Sequence, residues 1–218
     1  MKKTVHFVAV FLLMIQSLAC AAPQLQNLSI KTGAVRLDTN WQITFDQDYM
    51  TGSIGEDLCP THSDMGLVYN GLVEWLELGI NYRQVFLTSQ ADPWKPVDRP
   101  HLNVTFRGQI LAFDISNGSR FEYQSRDDRK DFWRYRNKFA VKFPSLLKDF
   151  KLQPYVAHDF FADLSSASDF ARNGFSSGAS LKLSRNLVGD FYYRWQTSRY
   201  GGMWYDYRII GTSIRLNF

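Results

Sequence analysis

Apolar and polar residues alternate with a period of two along most of this chain, and helical spacing hardly appears. In "AVRLDTNWQITFDQD", Val35, Leu37, Trp41, Ile43 and Phe45 share one face of an extended strand, and Arg36, Asp38, Asn40, Gln42, Thr44 and Asp46 share the other. "FWRYRNKFAVKF" sets Trp133, Tyr135, Phe139, Val141 and Phe143 against Arg134, Arg136, Lys138 and Lys142. "GDFYYRWQ" sets Phe191, Tyr193 and Trp195 against Asp190, Tyr192, Arg194 and Gln196. The closing "GTSIRLNF" sets Ile214, Leu216 and Phe218 against Ser213, Arg215 and Asn217.

Marking such runs predicts ten strands, near 33–48, 63–73, 76–88, 101–115, 118–126, 130–143, 152–163, 170–184, 187–198 and 204–218. The connections alternate in length. "VEW", "ISNG", "SRNL" and "PSLLKD" are short, whereas "MTGSIGEDLCPTH", "TSQADPWKPVDRP", "SRDDRKD", "LSSASDFARN" and "TSRYGGMW" form the interleaved, mostly longer set. An even strand count with short turns at one end and long loops at the other is the organisation of an antiparallel up-and-down β-barrel.

Periodicity alone does not say which face is outside. A soluble barrel buries its apolar face; a transmembrane barrel turns that face to lipid and lines its lumen with polar groups. The density of Arg, Lys, Gln and Asp on one face favours the second arrangement. So does the gathering of aromatics near strand ends, at Trp41, Trp75, Trp133, Tyr135, Trp195 and Trp204. Slipping 130–143 by one residue would turn Arg134, Arg136, Lys138 and Lys142 toward lipid. With two of them near the midplane the cost is on the order of 4–8 kcal/mol, comparable to the stability of a domain. In this reading the basic face is lumenal.

The first residues supply the compartment. Lys2 and Lys3 precede an apolar run from Phe7 to Ile15, and Ala19-Cys20-Ala21 offers the small residues of a cleavage site. The run is shorter than the roughly 20 apolar residues of a spanning helix. The expectation is a signal peptide at 1–21, removed to leave a barrel domain at 22–218 in the cell outer membrane, with both termini periplasmic. An uncleaved anchor and a lipoprotein acylated at Cys20 are the other readings of this segment. Removing the leader's two lysines from 25 basic residues leaves 23 against 21 acidic ones, so the charge does not point to nucleic acid. One cysteine, Cys59, then remains, and it has no partner for an intramolecular disulfide.

Three stretches carry a resemblance to a known family. "WRYRNKFAVKFP" holds a W-R-Y-R element at Trp133 to Arg136, "LQPYVAHDFFADL" holds Pro154, Tyr155, Asp159 and Phe160, and "NGFSSGASLKL" follows. Together they resemble the outer-membrane barrel proteins grouped as domain of unknown function 2490, over about Trp41 to Phe218. Members usually carry Glu where this chain has Asp159, and often an Asn-Arg pair where it has Arg172-Asn173. The resemblance implies fold and location and assigns no chemistry.

By strict alternation the lumenal face holds Arg36, Arg83, Arg107, Arg120, Arg126, Arg134, Arg136, Lys138, Lys142, Lys182, Arg194 and Arg215. Against them stand Asp38, Asp46, Glu122, Asp159 and Asp190. One reading is a narrow channel or binding lumen for small anionic solutes, since rings of Arg and Lys favour anions. The other is an ion-pair network that seals a barrel barely wider than eight strands. An enzyme acting on envelope lipid or carbohydrate and a soluble periplasmic ligand-binding barrel are the alternatives from other classes. The enzyme reading has little to stand on. His62, Ser63 and Asp64 are consecutive and point to alternate sides, His101 is expected in a Pro-rich loop, and His158 and Asp159 fall on opposite faces of a strand, with His158 between apolar Val156 and Phe160. Cys59 and His62 have C-x-x-H spacing, too little for a metal site. No cofactor or metal is expected. The expected partners are outer-membrane lipid and the barrel-assembly machinery, which would read Ile214, Leu216 and Phe218 as an insertion signal.

Overall fold

The computed structural model describes residues 25–51, 61–87, 95–125, 131–145, 151–164, 172–200 and 202–217. Every regular element among them is a strand: β1 Leu25–Arg36, β2 Trp41–Thr51, β3 Thr61–Val73, β4 Leu76–Leu87, β5 Lys95–Ile110, β6 Phe113–Gln124, β7 Phe132–Lys142, β8 Leu152–Asp163, β9 Arg172–Lys182, β10 Leu187–Tyr200 and β11 Met203–Asn217. Each pairs with its chain neighbours, and β1 meets β11 to close the barrel. Residues 1–22, with the expected signal peptide, and Cys59, Arg126 and Phe218 lie outside the described residues.

There are eleven strands where alternation predicted ten. The run 33–48 is broken at Leu37–Asn40, where Asp38 Oδ1 accepts hydrogen bonds from the backbone N–H groups of Asn40 and Trp41 at 2.6 and 2.7 Å. The chain before this turn continues as β1, whose "LQNLSIKTGA" lacks sustained alternation. An odd number of up-and-down strands makes the first and last run the same way. The closing pair is therefore parallel, with Leu25 opposite Arg208 and Ala34 opposite Asn217. The seam thus joins β11 to residues 25–34. Leu25 and Asn217 also lie at opposite rims, so these ends of the sheet are not on one side.

Two turns also differ from expectation. "ISNG" is not a turn. Ile115 to Gly118 lie inside β6, and the chain reverses at Leu111–Ala112, with Leu111 at φ 55°. The local Ser-Asn-Gly signal loses to a continuous ladder from His101–Glu122 to Ile110–Phe113. "TSRYGGMW" is no long loop either. β10 and β11 are paired to Tyr200–Met203, and Gly202 takes the positive φ of 86° that the tight reversal demands.

The outer wall is apolar. Phe45, Met65, Leu67, Ile80, Leu102, Phe106, Phe139, Phe175 and Ile214 are all exposed there. Aromatics gather at both rims. Trp41 with Tyr69, Trp75 with Phe106, and Phe113 with Phe143 mark the short-turn rim. Tyr123 with Trp133, and Phe121 with Tyr135, mark the other. The inner wall is polar, with Asp64, His101, Glu122, Gln124 and Asp159 buried. This distribution is the inverse of a soluble barrel's.

The lumen as candidate functional site

Strict alternation sends every second residue inward, and the pairing register stacks those residues into rows across neighbouring strands. One row runs Asp46, Asp64, Arg83 and Arg99 from β2 to β5. Arg83 donates from Nε to Asp64 Oδ2 at 2.8 Å, and Asn81 Nδ2 donates to Asp64 Oδ1 at 2.9 Å. Asn103 donates to Asn81 at 2.7 Å and accepts from Arg120 Nε at 2.9 Å. His101 is held by Nδ1 against the Arg99 carbonyl at 3.1 Å, so Nδ1 carries the proton and Nε2 faces Asp64 Oδ2 at 3.4 Å. Arg99 lies 3.5 Å from Glu122. Toward the longer connections Val85, Val97 and Gln124 are almost wholly buried. At the same end His62 Nε2 meets Asp48 at 2.6 Å.

The opposite wall is built around Asp159. It sits on β8 between Lys138 of β7 and Gly174 of β9. Arg136 Nη2 reaches its Oδ2 at 3.1 Å, and Arg194 Nη2 reaches its Oδ1 at 2.6 Å from two strands away. Gly174 makes that reach possible, because a Cβ there would fall 2.7 Å from Arg194 Nη2. The same device recurs. Gly178 lies under Tyr155, Gly211 under Tyr192, and Gly66 under the Asn81 amide. Each glycine lets a large lumenal side chain lie along the wall. Nearer the short-turn rim, Asp190 accepts a hydrogen bond from Ser180 and lies 3.4 Å from Arg215. Arg134 pairs with Asp163 at 2.7 Å, and Arg107 with Glu77 at 2.9 Å.

All of these ion pairs join adjacent or next-adjacent strands. They run along the wall and not across the lumen. They also leave cations over. Lys138, Lys142 and Lys182 face inward, with no hydrogen bond or ion pair to another described residue. Lys138, halfway along β7, points into the lumen with its side chain exposed there. At the short-turn rim a cavity of about 820 Å³ is lined by Ala34, Arg36, Asp38, Gln42, Arg185 and Asn186.

The predicted lumenal residues fall as follows. Arg36, Arg83, Arg107, Arg120, Glu122, Arg134, Arg136, Lys138, Asp159, Lys182, Asp190, Arg194 and Arg215 occupy inward positions of the ladder. Ile214 and Leu216 are exposed on the outer wall. Alternation missed the part played by Asp64, Asn81, His101 and Asn103. His101 lies in β5, not in a loop, because the strand begins at Lys95 and runs through Pro96 and Pro100. Its signal was the alternation of Val97, Arg99 and His101 with Asp98 and Pro100, interrupted by prolines. His158 keeps its outward position without a bulge and bonds from Nε2 to Asn173 Oδ1 at 2.5 Å. Ser63 points outward between inward His62 and Asp64. Among the described residues no three His, Cys, Asp or Glu side chains are grouped to hold a metal ion.

Known proteins place this geometry. The family model for a protein of unknown function, DUF2490, matches residues 26–205. Among solved structures the NanC porin, in a rhombohedral crystal form, superposes with a TM-score of 0.53 over 85% of this chain and 91% of its own, at 10% identity. That likeness is one of fold. No curated protein sequence matches the chain.

Proposed function

We propose, from the premise that this chain belongs to the DUF2490 family of proteins of unknown function, that it is an integral outer-membrane β-barrel whose lumen binds or passes small anionic solutes. The apolar outer wall between two aromatic rims suits a bilayer, and the porin-like fold supports the same location. The observation that carries the anion reading is the arrangement of charge. Asp64, Glu122, Asp159, Asp163 and Asp190 are paired with arginines along the wall, and Lys138, Lys142 and Lys182 remain facing the lumen. Uncompensated cations in a low-dielectric tube concentrate anions and repel cations. The sealed alternative would need side chains bridging opposite walls. The glycine-seated Tyr155, Tyr192 and Arg194 lie along the wall instead.

The test is recording from purified, refolded protein in planar bilayers. Discrete current steps, from protein that migrates heat-modifiably on gels and needs detergent for extraction, are the expected result. Silent bilayers from protein shown to be folded would overturn the passage. Full solubility without detergent would overturn the membrane location.

A further inference from the structure

The outer wall is not uniformly apolar. On β6 and β7, Asn137 Nδ2 donates to Asn117 Oδ1 at 2.6 Å and to Ser119 Oγ at 3.1 Å, and Ser119 Oγ lies 2.9 Å from the Tyr135 hydroxyl. Beside them on β8 and β9, His158 bonds to Asn173. All six residues point outward. Ile115, Phe139 and Val156 border the patch on one side and Phe121 and Phe160 on the other, all on the same face, so Asn117, Asn137 and His158 lie at mid-strand and Tyr135 reaches the aromatic rim. On the neighbouring β3 to β5 the outward Leu67, Ile80 and Leu102 stand in the same ladder row as Phe121, and the polar outward residues Ser63, Tyr82, Gln84 and Asp98 lie nearer the long-connection rim.

The bonds inside the patch leave atoms over. With Nε2 as donor, His158 keeps Nδ1 as a bare acceptor, and Asn137 keeps Oδ1. Asn117 and Asn173 each keep an amide NH₂. None of these atoms has a partner among the described residues. The spare amide of Asn117 and the spare acceptors of Asn137 and His158 thus lie together at mid-strand, where hydrocarbon offers no partner. A lipid tail would leave all of them unmade. A twofold axis through the patch would set the donors of one copy against the acceptors of the other.

We propose that the outer wall of β6 to β9 is a self-association surface, through which two copies of this barrel pair side by side in the bilayer. The proposal rests on the membrane reading above. Its test uses the full mature chain with Cys59→Ser, refolded into phosphatidylcholine–phosphatidylglycerol vesicles and oxidised. Asn137→Cys and Phe139→Cys, at the patch centre, are compared with Ile80→Cys, outside the patch on β4. Disulfide-linked dimers from either patch cysteine at least about tenfold above Ile80→Cys are expected. Adding Asn117→Leu and Asn173→Leu should abolish that excess without loss of heat-modifiable protein. Vesicle-bound, heat-modifiable protein with no excess over Ile80→Cys overturns the association alone. Protein that fails to float with the vesicles overturns the membrane reading, and the association with it.

Discussion

The Arg194 guanidinium lies over the backbone of Gly174 and reaches Asp159 Oδ1 at 2.6 Å, and that carboxylate also holds Arg136. Asp159 is buried, and the two guanidinium groups are largely so. Removing its charge leaves two buried cations facing each other. Asp159→Asn should lower the free energy of unfolding by about 3 kcal/mol, the usual cost of breaking a buried ion pair from one side. Urea titration in detergent micelles measures this. A loss within about 0.5 kcal/mol, the range of an ordinary surface change, would show that the pair is not structural.

Gly174 should matter for the lumen more than for folding. The Cβ of Gly174→Ala would displace the far end of a flexible arginine, which has open lumen to move into. Arg194 then leaves the wall and narrows the passage. Single-channel conductance should fall in Gly174→Ala and stay unchanged in Gly118→Ala, whose Cβ meets only ordinary contacts. Equal conductances in the two variants would contradict the seating role.

What the sequence made legible follows from the physics of each feature. Facing has a period of two and needs no partner, so Arg134, Arg136, Lys138 and Lys142 could be placed from "WRYRNKFAVK" alone. Partnership depends on register between distant segments, and nothing local announces that Asp159 will meet Arg194 thirty-five positions on. β1 escaped because its alternation is poor; its place is set by the ladder to β2 and the seam with β11. The β5–β6 turn escaped because Ser116-Asn117-Gly118 carries the stronger local turn signal, while Leu111, an unfavoured residue at positive φ, makes the reversal. The glycine seats left a readable trace: Gly174 and Gly178 fall on the inward parity of β9.

The register of the outer wall has its own test on β5. Leu102 points outward and Thr105 inward. Leu102→Arg should destabilise the bilayer-inserted protein by about 2–4 kcal/mol, the cost of a lipid-facing arginine near the midplane. Thr105→Arg should cost well under half of that. Denaturant titrations in vesicles compare them, and a reversed order would place the wrong face toward lipid.

The C-terminal strand carries a prediction about assembly. Ile214 and Leu216 face outward on β11, and Phe218 continues that parity in the sequence. Deleting Phe218 should reduce the heat-modifiable, membrane-inserted fraction in cells several-fold while leaving refolding from urea into detergent intact. Unchanged insertion would remove the aromatic end as an assembly signal.

The central claim is a lumen with surplus positive charge, and reversal potential reads it most directly. Across a bilayer with a tenfold potassium chloride gradient, the protein should reverse on the chloride side of zero. Lys138→Gln with Lys142→Gln should lower the chloride-to-potassium permeability ratio at least about twofold. A cation-selective current in the wild type, or a ratio indifferent to both lysines, would contradict the account.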